Sequence, residues 1–577
     1  MHKQLWILPL AAVLATGCNN NSNNGNGNHD LSMGGDNGDG GVGPDMTPPS
    51  DMVDTTPIPV PTTMHVGATG VSAGLVTNGA DLAAYLLAPT GTPATGALHV
   101  VTKAGVDKAI DTGVSIGGYQ LGSDGKSIIY TKAAGQSAAL LWADPTAATP
   151  TPKTVIATGV ISTTLAFAGF YGPSGHYFAV GVLPANVSSS PDMHVIDAHT
   201  GTDVYDRLNG EFDYLETIQP DDTMIFQDTA GGTSGTSTPV QTLYWVTLPG
   251  ATAAAAIATH TSSWQTSADG KTLIILKTSG DLVTWDTTTH PATTTPLVSG
   301  AAVFTVGGDT NGPVAYIGAD RSVHVIGLDG TKLLDVAATA ATAGDVLGTP
   351  ILSFDNAHLF YWQNVERQEN RGTLMHVAVT ASATPAKVGD KISMPDLHVN
   401  DSSLVGLQNV DDAGQFGDAF KSDLDGGNLV ALGTKANVGG LQAVNPGPDT
   451  WFAIQLTTAV DDSATNSTID GSPAIYGALA FEDYTGAAAV ALDAKVHAGT
   501  FAFAADDGRT AAFVSGATFS ATAGNYVGAL KLLAARSPSM TVDGALMGVS
   551  ELGPIVNRSL FVNAPTATTA GVYYVTY

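Results

Sequence analysis

The stretch Thr266-Ser267-Ala268-Asp269-Gly270-Lys271-Thr272-Leu273-Ile274-Ile275-Leu276 decides the fold. A small polar residue, an Asp-Gly pair and a Lys lead into an apolar, β-branched run. Asp-Gly flanked by apolar residues is a strong short-range hairpin signal, because Gly accepts the positive φ that a tight turn requires. The segment therefore predicts a strand, a tight turn and a second strand. The same corner stands at Gly122-Ser123-Asp124-Gly125-Lys126-Ser127-Ile128-Ile129-Tyr130.

Working outward, corners with strand-like flanks recur at Asn78-Gly79, Ser174-Gly175, Asp221-Asp222, Asn311-Gly312, Asp355-Asn356, Asn400-Asp401, Gly447-Pro448, Asp507-Gly508 and Val556-Asn557. Most gaps between corners lie in the forties. A later strand follows most corners, as in Met193-His194-Val195-Ile196-Asp197, Leu282-Val283-Thr284-Trp285-Asp286 and Val323-His324-Val325-Ile326. Each unit has room for four short antiparallel strands, and repeats of about 40–45 residues with four strands are the signature of β-propeller blades.

The corner also resembles the Ser-Pro-Asp-Gly-Lys corner of TolB-type, WD40-like propeller repeats. Ser267 to Lys271 and Gly122 to Lys126 carry the resemblance most clearly. Ala505-Asp506-Asp507-Gly508-Arg509 looks like a third copy, and Gln219 to Thr223 and Tyr171 to Gly175 are looser ones. The resemblance implies a fold and no shared catalytic residues. It also implies that the corner joins the innermost strand of a blade to the next one out. The expectation is an all-β chain of four-stranded antiparallel blades. Eleven units exceed the usual four to eight of one ring, so two propellers in tandem are expected, over residues 64–340 and 341–577, with a single large ring as the alternative.

Composition agrees with that class. The chain has 577 residues, too many for one ordinary core. Only 13% of them are charged, which favours strands and turns over amphipathic helices. The formal charge of −29 opposes binding to nucleic acid and suits a soluble, acidic surface.

The single cysteine, Cys18, excludes disulfides within the chain. It follows Lys3, an apolar run from Leu5 to Leu14, and Ala15-Thr16-Gly17. This segment resembles a bacterial lipoprotein signal. The resemblance implies removal of residues 1–17, acylation of Cys18 and attachment to a membrane. Asn19 rather than Asp after the cysteine favours the outer membrane or cell surface. Residues 19–63 are rich in Asn, Gly and Pro, seven of the ten from Asn19 to Asn28 being Asn. Nothing there can bury a core, which predicts a disordered tether.

Several constellations bear on chemistry. Gly70-Val71-Ser72-Ala73-Gly74 matches a nucleophile elbow, but that motif needs a following helix, and a strand-like segment follows instead. The fourteen histidines form no short-spaced metal pattern, and His194 and His199 are expected to face different ways. Asp423 to Asn428 and Asp461 to Asn466 lack the full calcium-loop spacing, and the first reads as a blade turn. No catalytic residue, metal or cofactor is assigned. The densest polar chemistry lies between Tyr361 and Arg371. There Trp362, Glu366, Arg367, Glu369 and Arg371 are the candidate binding residues, against the alternative of a solvated hairpin whose charges pair with one another. The chain therefore reads as an envelope-anchored binding or scaffold module for a protein or glycan. The alternative is a propeller lyase or glycan hydrolase with carboxylates at the central channel.

The ends of the chain carry one more expectation. Gly571 to Tyr577 ends the last unit one strand short, and Thr63 to Gly67 has no partner in the first. The two are expected to lie together.

Overall fold

The computed structural model describes residues 60–577 apart from 80, 92–93, 136, 166–168, 184–190, 208–216, 220, 231–239, 250–253, 309–311, 338–346, 448–449, 462–474, 484–489, 504–509, 524 and 535–541. The described residues form an all-β chain of antiparallel sheets.

Thr266 to Leu276 shows how one sheet is made. Strand Thr261–Thr266 turns through Ser267 to Lys271 into strand Thr272–Lys277. Ser267 Oγ donates to Asp269 Oδ1 at 2.7 Å, and the Lys271 amide donates to the same oxygen at 3.0 Å. The Thr272 amide returns to Ser267 Oγ at 2.9 Å, and Gly270 takes φ 71°. Ser353, Asp355 and His358 repeat this set of bonds, with Asn356 at φ 56°. Asn is among the few residues besides Gly that visit the left-handed region routinely. Every corner read in the sequence lies between the first and second strands of its unit, those at 311, 448 and 507–508 falling partly or wholly outside the described residues.

Along the second strand, alternate side chains point to opposite faces. Leu273 and Ile275 pack with Ile225 and Leu243 of the preceding sheet. Ile274 and Leu276 pack with Phe304 and Val314 of the following one. Both faces are therefore covered, which is why these strands read as continuous apolar runs rather than as polar–apolar alternation.

Nine sheets are present among the described residues. An eight-stranded one joins two units through the single pairing of Val182 with Val160, and a seven-stranded one shares strand Val490–Phe503 between two units. The result is eleven blades in chain order. First strands of neighbouring blades approach one another, as Ser72–Thr77 does Tyr119–Leu121 and Glu551–Leu552, and this marks the inner edge. The cores lie between successive blades. The expected division near residue 340 falls among residues 338–346, outside the described residues. On its two sides, Ala315, Val323 and Val325 share a cluster with Leu359, Tyr361 and Val377, in the manner of the other neighbouring blades.

The ends meet as the sequence predicts. Thr62–His65 pairs antiparallel with Gly571–Thr576, with Thr62 opposite Thr576 and His65 opposite Tyr573. The last blade thus takes its fourth strand from the start of the chain. Val66, Leu75 and Tyr85 then pack on Phe561 and Val572. Buried Glu551 accepts the amides of Gly74 at 3.0 Å and Leu75 at 3.1 Å, and Asn563 Nδ2 donates to it at 2.7 Å. Ser72 Oγ donates to Asn563 Oδ1 at 2.5 Å.

Deleting Ala570 to Tyr577 is expected to lower hydrogen-exchange protection of Leu82 to Leu87 in the first blade as well as in the last. Glu551→Ala, which leaves two buried amides without an acceptor, is expected to cost about 1–3 kcal/mol in a denaturant titration. Unchanged protection of Leu82 to Leu87 in the deletion would refute the closure. An isolated 64–340 fragment tests the division: a cooperative melt means that it closes alone, whereas the shared cluster around Tyr361 predicts that it does not.

Candidate functional site

The inner edge comes first, because a propeller enzyme would place its carboxylates there. The first strands read Ser72–Thr77, Tyr119–Leu121, Gly169–Tyr171, Thr217–Ile218, Thr261–Thr266, Ala301–Val306, Ile351–Leu352, His398–Val399, Leu441–Gly447, the later part of the shared Val490–Phe503 from Val496 on, and Glu551–Leu552. Glu551 is the carboxylate among them, and burial pushes its pKa up while its oxygens bind the Gly74 and Leu75 amides and Asn563. Polar residues on these strands tie blades together. Gln265 Nε2 donates to Phe304 O at 3.4 Å, and its Oε1 accepts the Val306 amide at 3.1 Å. Gln120 Nε2 donates to Gly169 O at 3.1 Å.

The segment from Tyr361 to Arg371 is the hairpin between strands His358–Glu366 and Arg371–Ala378. Trp362 is buried in the cluster with Leu397, Leu404 and Phe420 of the next blade. Arg371, with a side chain only 6% exposed, turns away from solvent. Its Nε donates to Glu366 Oε2 at 2.8 Å, its Nη1 to Val410 O at 2.5 Å, and its Nη2 to Asp412 Oδ1 at 2.9 Å. Two of the five candidates, Trp362 and Arg371, thus hold two blades together. Arg367 and Glu366 are exposed and Glu369 is half-buried.

Ser72 heads a strand and bonds Asn563, so the elbow geometry is absent there. Asp423 to Asn428 is a turn between two strands, closed by Asn428 Nδ2 to Asp423 Oδ2 at 2.6 Å. The acidic loop after Asp461 and Cys18, the expected lipidation residue, lie outside the described residues.

The histidines are more organised than their spacing suggests. His99, His194 and His324 each sit in a third strand as apolar-His-Val and meet an Asp of the fourth, at 3.0 Å from Asp107, 2.7 Å from Asp203 and 3.1 Å from Asp335. Met375-His376-Val377 repeats the pattern, but His376 Nε2 meets His358 Nδ1 at 3.0 Å. Burial, then His358, pushes the His376 pKa down to about 4.

A second grouping lies on the corner face of the blades at residues 119–160, 169–207 and 217–259. His176, from a corner, and Asp197 and His199, from a turn, each place a ligating atom within 4.8 Å of the others. The His176 and His199 rings stack with centroids 4.4 Å apart. His199 Nε2 is 2.6 Å from Asp124 Oδ2 of the preceding corner. His176 Nδ1 is 3.4 Å from Asp222 Oδ2 of the following one. Ser123 Oγ donates to Pro173 O at 2.8 Å, and Ser174 Oγ to Asp222 Oδ1 at 3.3 Å, so adjacent corners are pinned side by side. His194 and His199 do take separate partners, Asp203 and Asp124. The grouping of His199 with His176 has no local sequence signal. The equivalence of the three corners is the signal that would have placed Asp124, His176 and Asp222 on one face.

No family model matches this chain, and no curated protein matches it. Solved structures do. A crystal structure of the eukaryotic initiation factor is 12% identical, covering 77% of this chain and 93% of that one, with TM-score 0.40. The C-terminal WD40 domain of Sif2 is 12% identical, covering 55% and 84%, with TM-score 0.26. The β-propeller domain of the trilobed protease from Pyrococcus furiosus is 10% identical, covering 64% and 99%, with TM-score 0.26. The sheet order and the inner edge of the described residues give the chain a β-propeller fold. Oligogalacturonate lyase in complex with manganese is also similar, at 13% identity over 61% of this chain and 96% of that chain, with TM-score 0.28. At these identities the likeness concerns fold alone.

Arg371→Ala is expected to lower the melting temperature by removing the donor to the buried Val410 carbonyl, an effect of about 1–3 kcal/mol. The His376 shift sets a pH dependence. Between its ordinary value of 6.5 and about 4, the unfolded chain binds a proton there that the folded chain does not. Stability is therefore lost as pH falls through that window. In His376→Phe that component is expected to vanish, which denaturant titrations at several pH values between those limits would measure.

Proposed function

We propose that this protein is an envelope lipoprotein that presents a rigid propeller as a binding or scaffold surface. The N-terminal segment is the address: cleavage before Cys18, acylation of that residue, and a tether over 19–63 that holds the propeller away from the outer membrane or cell surface. The observation that carries the binding reading is the composition of the inner edge. Its buried carboxylates, Glu551 and Asp396 just before strand His398–Val399, are each taken up by amides of the next blade, Glu551 by Gly74 and Leu75 and Asp396 by Gly439 and Leu441, so both serve as ties between blades. What remains for recognition is the set of loop faces, on which binding residues of rigid scaffolds concentrate. Glu366, Arg367 and Glu369 are the charged candidates on one such loop. The ligand class is a protein or a glycan, and the charge of −29 disfavours nucleic acid.

The enzyme reading, a lyase or glycan hydrolase, must draw its acid and base from somewhere other than the inner edge. The His176, Asp197 and His199 grouping is where such chemistry would be sought.

Cys18→Ala is expected to shift the protein from the membrane pellet to the supernatant; a mutant that still pelleted after a high-salt wash would sink the anchor. Incubation with acidic and neutral polysaccharides separates the two activities. Retention on the polymer without new unsaturated products or reducing ends is expected, and turnover would overturn the binding reading.

A further inference from the structure

We propose that the outer edge of the blade at residues 217–259 pairs with the same edge of a second copy of this chain. The fourth strand of each blade forms the rim. Where nothing pairs with it, its outward N–H and C=O groups are a template for another strand. A charged side chain on such a strand blocks pairing because it would be buried, and proline blocks it because it lacks the N–H. Charged residues stand on Asp107–Ser115, Lys153–Val160, Thr202–Arg207, Lys332–Val336, Ala386–Ser393, Val430–Asn437 and Val542–Val549, and Pro296 stands on Thr295–Val298. Val490–Phe503 is paired on both sides. The closing strand Thr62–His65 has four residues and stands directly behind Pro61. Ala255–Thr259 has no such safeguard. It reads Ala-Ala-Ile-Ala-Thr, and from Ala251 to Thr259 the chain is Ala and Thr with one Ile. It ends its four-stranded sheet, and no described strand pairs with its outer side.

The residues beside this strand suit a partner. Tyr244 lies opposite Ala256 and Trp245 opposite Ala255, and both aromatic residues are half-buried. Being neighbours in one strand, they stand on opposite faces of the sheet. Tyr244 stacks on Phe226 with centroids 5.6 Å apart, and Trp245 on His290 at 3.9 Å. Only alanine separates these rings from the rim. An added strand therefore gains backbone bonds along the edge and aromatic surface on each face, which is recognition by strand addition. The occupant follows from charge. Two chains of −29 each repel one another, so copies approach most readily where charge is absent. This strand is such an edge on both. Antiparallel pairing of a strand with itself is two-fold symmetric and closes the assembly at two copies. The molecule already joins two of its own blades by strand pairing, where Val182 meets Val160. One strand and its flanking rings make a contact at the small end of interface sizes, so the dimer is reversible.

The test uses the full-length chain with Cys18→Ser, which then holds no other cysteine. Sedimentation is expected to show a monomer–dimer equilibrium that shifts to dimer as concentration rises. A nitroxide on Ala256→Cys in that background is expected to give a short distance between copies by double electron–electron resonance. The same label on Ala386→Cys, an exposed alanine of the charged outer strand Ala386–Ser393, is expected to give none. Ala255→Lys with Thr259→Lys, both at exposed positions, is expected to abolish the dimer and the Ala256 distance. An unchanged melting temperature of the dilute chain establishes that this variant is folded, and Ala255→Lys alone is the second variant. A chain that stays monomeric at every concentration, or that takes up only a foreign strand at this edge, overturns the proposal. So does a distance equally short at Ala386, or a dimer that survives the lysines.

Discussion

Each blade of this protein is a sheet with two apolar faces, and neither can be left in water. Leu273 and Ile275 need one neighbour, while Ile274 and Leu276 need the other. A sheet of this kind stabilises nothing alone, so the unit of stability is the interface between two blades. A linear stack would leave an apolar face at each end. The chain removes both ends together by laying Thr62–His65 against Gly571–Thr576 and packing Val66, Leu75 and Tyr85 against Phe561 and Val572. The buried polar contacts of Glu551, Asn563 and Ser72 fix the register of that junction, because each group would be left without a partner if the blades slid.

The same constraint explains where charge is found. Faces are consumed by packing, so polar side chains that stay in water gather at strand margins, corners and outer strands, while those inside second strands, such as Thr131 and Gln227, are buried. Some margin residues become ties between blades, as Gln265, Gln120 and Arg371 are. An arginine in a charge-rich hairpin looks like a ligand-binding residue in one dimension. In three, its guanidinium reaches a carbonyl of the next blade because the hairpin lies on that interface. Corners differ, because they protrude side by side on one face. Asp124, His176 and Asp222 from three of them therefore come close to Asp197 and His199, which stand at the end of strand Asp192–Asp197 and in the turn after it.

Much of the architecture was legible because it rests on local chemistry. Ser267, Asp269 and Gly270 close a turn with bonds spanning a few residues, and nothing distant is needed to predict it. The apolar runs after each corner announced sheets covered on both faces. The unpartnered segments at the two ends announced their own pairing, since an exposed edge is a liability. Apolar-His-Val in the third strands was visible as text, but its meaning was not, because the aspartates lie on the neighbouring strand at irregular offsets.

The sequence by itself determined that this is an all-β array of propeller blades, that its ends join, and where each corner falls. These follow from turn geometry and side-chain alternation, which act over a few residues. Only the tertiary structure decided which polar residues serve packing and which face solvent. It buried Trp362 and Arg371 between blades and set Asp124, His176, Asp197, His199 and Asp222 together. Such groupings depend on how neighbouring blades are rotated and spaced, and that is set by the summed packing of the faces rather than by any motif.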